Sequence, residues 1–257
     1  MSKIKNAFAN GTAFIAFLTA GDPSIEKSCE FILTMEKAGA DLVEIGIPFS
    51  DPTAEGPVIQ AANIRALSVP TRLEDVFRLV TMVRQQSQVP LVFLTYFNPV
   101  FNYGTDAFFA KCAETGVDGV IIPDLPYEER EDAAPAAAAH GIDIISMIAP
   151  TSQDRIKKIA AVGSGFLYIV SSLGVTGVRS EIKTDLQEIL DTVHGVTQVP
   201  AAVGFGINTP DQAAKIGQYA DGVIVGSAIV KIIAQYGDEA APHLYEYVKS
   251  MKEAVRK

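Results

Sequence analysis

At 257 residues, 48% hydrophobic and without tryptophan or a Pro/Gly/Ser-rich linker, the chain has the length and apolar content of one large domain. Its formal net charge of −9, with Lys and Arg scattered singly, excludes the basic stripe that a nucleic-acid partner requires. The opening MSKIKNAFANG lacks an apolar signal core, and no apolar run approaches the roughly 20 residues of a membrane span, so a cytoplasmic protein is expected.

Ile4 and Phe8, spaced i, i+4, predict a short leading helix. Apolar, β-rich runs follow in order: AFIAFL from Ala13, LVEIGI from Leu42, LVFLTY from Leu91, GVIIPD from Gly119, DIISMIA from Asp143, FLYIVSS from Phe166, AAVGFG from Ala201 and GVIVGS from Gly222. Helical patterns separate them. The runs are near-continuously hydrophobic rather than alternating, as parallel strands covered on both faces are. Eight of them in a chain of about 250 residues predict an α/β fold of the closed (β/α)8 TIM-barrel class, a single domain over residues 1–257 with additional loop helices. The rival architecture, an open doubly wound sheet, lacks its GxGxxG fingerprint after the first strand. Cys29 and Cys112 fall in amphipathic helical patterns without a CxxC and read as core thiols; His140, His194 and His243 form no ligand cluster, so no metal site is expected.

Barrel enzymes carry their sites at the C-terminal ends of the strands. Those ends hold Thr19, Gly21 and Asp22 after strand 1, Pro48 to Pro57 after strand 2, Tyr96 to Asn98 after strand 3, and Asp124 and Pro126 after strand 4. The opposite ends are entered through plain turns such as KAGAD and ETGVD.

Three segments share one grammar: GADLVEIGIP from Gly39, GVDGVIIPDLP from Gly116 and YADGVIVGSAI from Tyr219. Superposed on Asp41, Asp118 and Asp221, they set Glu44 opposite Ile121 and Ile224, so an acid replaces a core isoleucine. Glu44 shares a strand face with Leu42 and Gly46, and Val43 and Ile45 share the other. If the first face looks inward, Glu44 ends in the barrel mouth with open space above it at Gly46. Burial of a carboxyl group raises its pKa toward the range of a general acid or base; the competing reading is a structural acid bonded to a neighbour. Glu55, in FSDPTAEGPVIQ, is a second candidate acid, and Asp51 is placed to shape the turn.

Three late loops are rich in glycine: SSLGVTGVRS around Gly174 and Gly177, GFGINTPDQ around Gly204 and Gly206, and VGSAIVK around Gly226 and Ser227. Asn208 or Thr209 caps, and Pro210 starts, one helix; Ser227 opens another. Backbone N–H groups and helix dipoles can hold a phosphate without a lysine, which reconciles an acidic chain with an anionic ligand. Ordinary turn glycine is the competing reading for any one of these loops.

FLTAGDP from Phe17, VEIGIPFSDP from Val43, GPVIQ from Gly56, TYFNPVF from Thr95, PDLP from Pro123, YIVSSLGVTG from Tyr168, GFGI from Gly204 and DGVIVGSAIVK from Asp221 resemble the motifs of the tryptophan synthase α subunit family over almost the whole chain. The resemblance implies retro-aldol cleavage of indole-3-glycerol phosphate to indole and glyceraldehyde 3-phosphate without cofactor or metal. Glu44 takes the place of the acid that protonates indole C3, and Tyr168 that of a tyrosine beside it. Gly177, Gly206, Gly226 and Ser227 match phosphate-loop positions; Phe17, Ile59 and Phe205 match apolar positions around the indole. Tyr96, in TYFNPVF, joins the substrate-binding residues, and Thr176 matches the threonine of a closing loop. The family's loop aspartate, which stabilises charge on the indole, falls on Glu55, one methylene longer. The family works as an αββα complex with a β subunit that uses pyridoxal phosphate. Three other readings remain: a stand-alone indole-3-glycerol phosphate lyase, a weakly catalytic subunit that mainly activates its partner, and another phosphosugar barrel enzyme such as an isomerase, against which the specific motifs weigh.

Overall fold

The eight apolar runs become eight parallel strands: β1 (Ala13–Thr19), β2 (Leu42–Gly46), β3 (Leu91–Leu94), β4 (Gly119–Ile121), β5 (Asp143–Ile148), β6 (Leu167–Val170), β7 (Ala201–Gly204) and β8 (Gly222–Val225). Each pairs with its sequence neighbour, and β8 pairs with β1, closing the barrel. The computed structural model describes residues 3–69, 71–170, 182–204 and 206–256. Its helices are α1 (Ile25–Ala38), α2 (Pro57–Ser68), α3 (Leu73–Arg84), α4 (Phe97–Tyr103), α5 (Thr105–Thr115) and α6 (Ala134–Ala139) in the first half. α7 (Gln153–Ala161), α8 (Ile182–His194), α9 (Pro210–Ile216), α10 (Ser227–Tyr236) and α11 (Ala240–Val255) complete the order.

Strand alternation divides the hydrophobic residues between two cores. Val43 and Ile45 pack toward the helical layer with residues such as Phe77 and Phe93. Leu42 joins Ile15, Val92, Ile121, Ile145 and Ile224 in a separate cluster inside the barrel. Ile121 and Ile224, the residues that align with Glu44 in the repeated segments, are therefore both interior, and Glu44 shares their side of the sheet.

The leading segment forms a 3-10 helix, Ile4–Phe8, rather than an α-helix. Its fully buried Ile4 belongs to the interior cluster, and the Phe8 ring lies 5.9 Å from that of Phe166. Glycine at 119 and 165 makes room for it, since an added Cβ would come within 2.9 and 3.0 Å of Ile4 Cδ1, respectively. This turn plugs the end of the barrel at which the strands begin.

The repeated aspartates work at that same end. Asp41 accepts the Phe14 N–H at 2.6 Å, Asp118 the Leu91 N–H at 3.0 Å and Asp221 the Ala201 N–H at 2.8 Å. Each carboxylate thus entering one strand holds a backbone donor of the neighbouring strand β1, β3 or β7. Asp41 also receives Lys252 Nζ from α11 at 2.7 Å, and Asp118 pairs with the largely buried Arg84 of α3 at 3.0 Å. The base is in this way tied to the outer helices, leaving the opposite rim for polar loops.

Candidate active site

Glu44 is held by its register between Phe17 of β1 and Val92 of β3. It is 1% exposed, and its Oε1 finds no hydrogen-bond partner among the described residues. Desolvation by burial pushes its pKa up to about 8. Tyr168 of β6 is also buried; its phenol is raised well above its ordinary value, first by desolvation and then by the negative charge of Glu44. The two groups that the sequence separates by more than a hundred residues share one electrostatic environment.

The space at Gly46 is not open. An added Cβ there would meet Phe17 Cζ at 2.7 Å and Cε2 at 2.9 Å, so the glycine admits the Phe17 ring over the end of β2. Phe17 also joins Ile59, Ala62 and Val230 in a small apolar cluster at the rim, with Leu94 packed against it. Two of the apolar positions picked from the sequence, Phe17 and Ile59, are thereby brought together. The other buried polar atom without a partner among the described residues is Thr19 Oγ1, at the end of β1 and in register with Gly46.

Glu55 lies in the loop between β2 and α2 and is half-buried. Asn63 Nδ2 of α2 donates to its Oε2 at 2.6 Å, and Gln60 Nε2 donates to its backbone carbonyl at 2.8 Å. Desolvation raises its pKa, while hydrogen bonds from Asn63 and Tyr96 pull the other way. Tyr96, buried at the start of α4, accepts the Ala54 N–H at 3.0 Å through its hydroxyl oxygen. Burial and the nearby acids, Glu55 before Asp124, push the Tyr96 phenol up to about 12. Tyr96 therefore braces the Glu55 loop. Asp51 is exposed and accepts the Ser50 hydroxyl at 2.5 Å.

A cavity of about 480 Å³ opens beside this loop, lined by Glu55, Ile145, Met147, Val170, Arg130 and Arg155 among others. Glu44 and Tyr168 do not line it.

After β7, Gly206 is exposed with φ +80°, a left-handed conformation suited to glycine, and a Cβ there would meet nothing within 4 Å among the described residues. Thr209, rather than Asn208, caps α9: its side chain accepts the Gln212 N–H, and Gln212 reciprocates. Gly226 is the N-cap of α10 and Ser227 its first residue, exposed at the positive end of the helix. A Cβ on Gly226 would lie 3.3 Å from Phe17 Cδ1, so this glycine joins the anion-competent helix terminus to the apolar cluster. Thr176, Gly177 and Phe205 lie outside the described residues.

Asn63 was not singled out in the sequence. Its signal is positional: α2 buries Ala62, Asn63 and Ala66, and an amide on that small-residue stripe needs a polar partner.

The family model described as "Tryptophan synthase alpha chain" matches residues 3–256. A relative of that name from Lacticaseibacillus casei is 48% identical over 255 residues, covering 99% of this chain and 96% of its own. Another from Halalkalibacterium halodurans is 48% identical over 242 residues, covering 93% and 91%. Among solved structures, Mycobacterium tuberculosis tryptophan synthase matches with a TM-score of 0.91 at 34% identity, covering 100% of this chain and 99% of that one. A chain of the tryptophan synthase a2b2 complex of Pyrococcus furiosus matches with a TM-score of 0.87 at 37% identity, covering 93% and 97%. This eight-stranded barrel belongs to the tryptophan synthase alpha chain family.

Proposed function

We infer that the protein cleaves indole-3-glycerol phosphate to indole and glyceraldehyde 3-phosphate as the α subunit of a tryptophan synthase. The observation that carries this reading is the Glu44 carboxyl, buried inside the barrel with an unpartnered oxygen and a pKa of about 8. At neutral pH such a group holds its proton and can deliver it to carbon.

In the proposed step Glu44 protonates indole C3, which leaves the ring cationic. The bond from C3 to the glyceryl carbon then breaks, its electron pair restores the aromatic ring, and the hydroxyl on that carbon loses its proton as the aldehyde forms. The Glu44 carboxylate left by the first transfer accepts that proton, so the acid is regenerated. Tyr168 bounds the slot, and an ionised Glu55 stabilises the charge at the indole nitrogen. Phe17 and Ile59 contact the indole; Gly206, Gly226 and Ser227, with Gly177, hold the phosphate through backbone donors. Thr176 and Phe205 complete the substrate contacts, and Tyr96 acts through the Glu55 loop. No cofactor or metal is needed for this balance of protons and electrons.

The chain assembles, in this reading, with a β subunit into an αββα complex and works in the cytoplasm. Exposed apolar side chains near the rim, Ile64 of α2 and Phe101 of α4, 70% and 67% exposed, offer a surface for that partner. The glutamate at position 55 favours one second reading, a weakly catalytic subunit that mainly activates the β subunit. Steady-state cleavage with and without a β subunit separates the two. Turnover by the parent that Glu44→Gln lowers by about 100-fold or more supports the enzyme. A parent that binds the β subunit yet turns over in neither condition supports the activator.

A further inference from the structure

We propose that Asn63 is a positioning residue for Glu55, fixing the carboxylate of the longer side chain over the mouth of the barrel. The inference rests on the reading of Glu55 as the group that stabilises charge on the substrate.

The geometry carries it. Asn63 is 3% exposed, and its side-chain N–H donates to Glu55 Oε2 at 2.6 Å, a short, charge-assisted contact. Asn63 belongs to α2, whose position is fixed two residues on: Arg65 grips the buried Asp22, in the loop after β1, through two hydrogen bonds of 2.9 and 2.7 Å. Gln60, also on α2, holds the Glu55 carbonyl, and the Tyr96 hydroxyl holds the preceding residue. Backbone and side chain of residue 55 are therefore both anchored, the side chain from a rigid helix. A free glutamate has one more rotatable bond than aspartate, and an amide donor from a fixed helix removes that freedom.

The donor also selects a charge state. An Asn N–H bonds a carboxylate better than a carboxylic acid, so it lowers the pKa of Glu55 against the opposing effect of burial. Among the described residues, the other ionisable groups around Glu55 are the Tyr96 phenol, which also feels the charge of Asp124, and Arg130, Arg155 and Tyr127, which line the same cavity.

The test uses the full chain with its β subunit. The pH profile of kcat/KM is measured for the parent, Asn63→Ala, the isosteric Asn63→Asp, Glu55→Gln and the double variant Asn63→Ala with Glu55→Gln. Carboxyl 13C titration of the isolated chain, with the Glu55 signal assigned by its loss in Glu55→Gln, provides a readout independent of turnover. Asn63→Ala is expected to lower kcat by about 10- to 100-fold, to move the acid limb to higher pH and to raise the Glu55 titration. Asn63→Asp, which sets a second carboxylate against the first, moves both further. In the Glu55→Gln background Asn63→Ala then has no additional effect. Equal losses from Asn63→Ala in both backgrounds, with the limb and the Glu55 titration unmoved, would overturn the proposal and leave Asn63 as packing. A harmless Glu55→Gln overturns it from the other direction, because the reading of Glu55 itself has then failed.

Discussion

The phenol of Tyr168 on β6 occupies the space that a side chain on Gly204 of β7 would need: a Cβ at 204 would lie 2.6 Å from Cζ and 2.7 Å from Cε1 of that ring. The glycine is a seat for the tyrosine that shares its surroundings with Glu44. Gly204→Ala should displace the ring and lower kcat/KM by about 10- to 100-fold, while Tyr168→Phe in the Gly204→Ala background recovers part of the loss by removing the oxygen. Steady-state kinetics with circular dichroism to confirm the fold checks this.

Glu44 carries a stability cost as well as a chemical role. Its Oε1 is buried without a partner among the described residues, and an orphaned acceptor of this kind costs about 1–3 kcal/mol. Glu44→Met, similar in volume and apolar, should therefore raise unfolding free energy by about that amount while abolishing cleavage. Urea denaturation at neutral pH, run beside an activity assay, reads both outcomes.

The raised pKa of Glu44 also sets a pH dependence. Below about 4.5 the carboxyl is protonated whether the chain is folded or not; between there and about 8 the unfolded chain ionises while the folded one keeps its proton. The ionisation penalty of burial is thus absent at low pH and grows as pH rises, by up to roughly 1.4 kcal/mol per unit, levelling off above the folded pKa. Glu44→Gln should remove this slope, so its stability advantage over the parent grows from pH 5 to pH 8. The parent's kcat/KM should fall above about pH 8, where Glu44 no longer holds the proton it donates.

At the base of the barrel Asp118 accepts the Lys3 and Leu91 N–H groups and pairs with Arg84, whose side chain is 11% exposed. Asp118→Ala would leave that guanidinium buried without its partner, a loss of about 3–5 kcal/mol. Because these contacts lie at the end remote from the rim, kcat should stay within about twofold of the parent below the lowered Tm. A variant equally stable to the parent in denaturant would show that the Gly116 and Val89 carbonyls, which already accept from Arg84 at 2.9 and 2.7 Å, suffice for its charge.

The outline of the barrel was legible in the sequence because a buried parallel strand must be apolar on both faces, and all eight such runs became strands. Their observed ends are shorter where polar or special-backbone residues follow: the ladder stops before Pro123 and Asp124, and before Gly226. Glu44 was legible because an acid at an isoleucine position breaks a repeated pattern; alternation told that it shares a face with Leu42 and not Val43, and the structure showed that this face looks inward. The aspartate repeat at 41, 118 and 221 was also visible.

What those aspartates hold was not. Their partners are backbone N–H groups of adjacent strands, 27, 27 and 20 residues earlier, brought near only when the barrel closes. The Phe17 ring over Gly46 and the Asn63 amide on Glu55 are likewise decided by packing between elements. Periodicity and propensity are properties of a local stretch and can be read from it. Which donor meets which acceptor depends on how loops place whole elements, and that information exists only once the chain has folded.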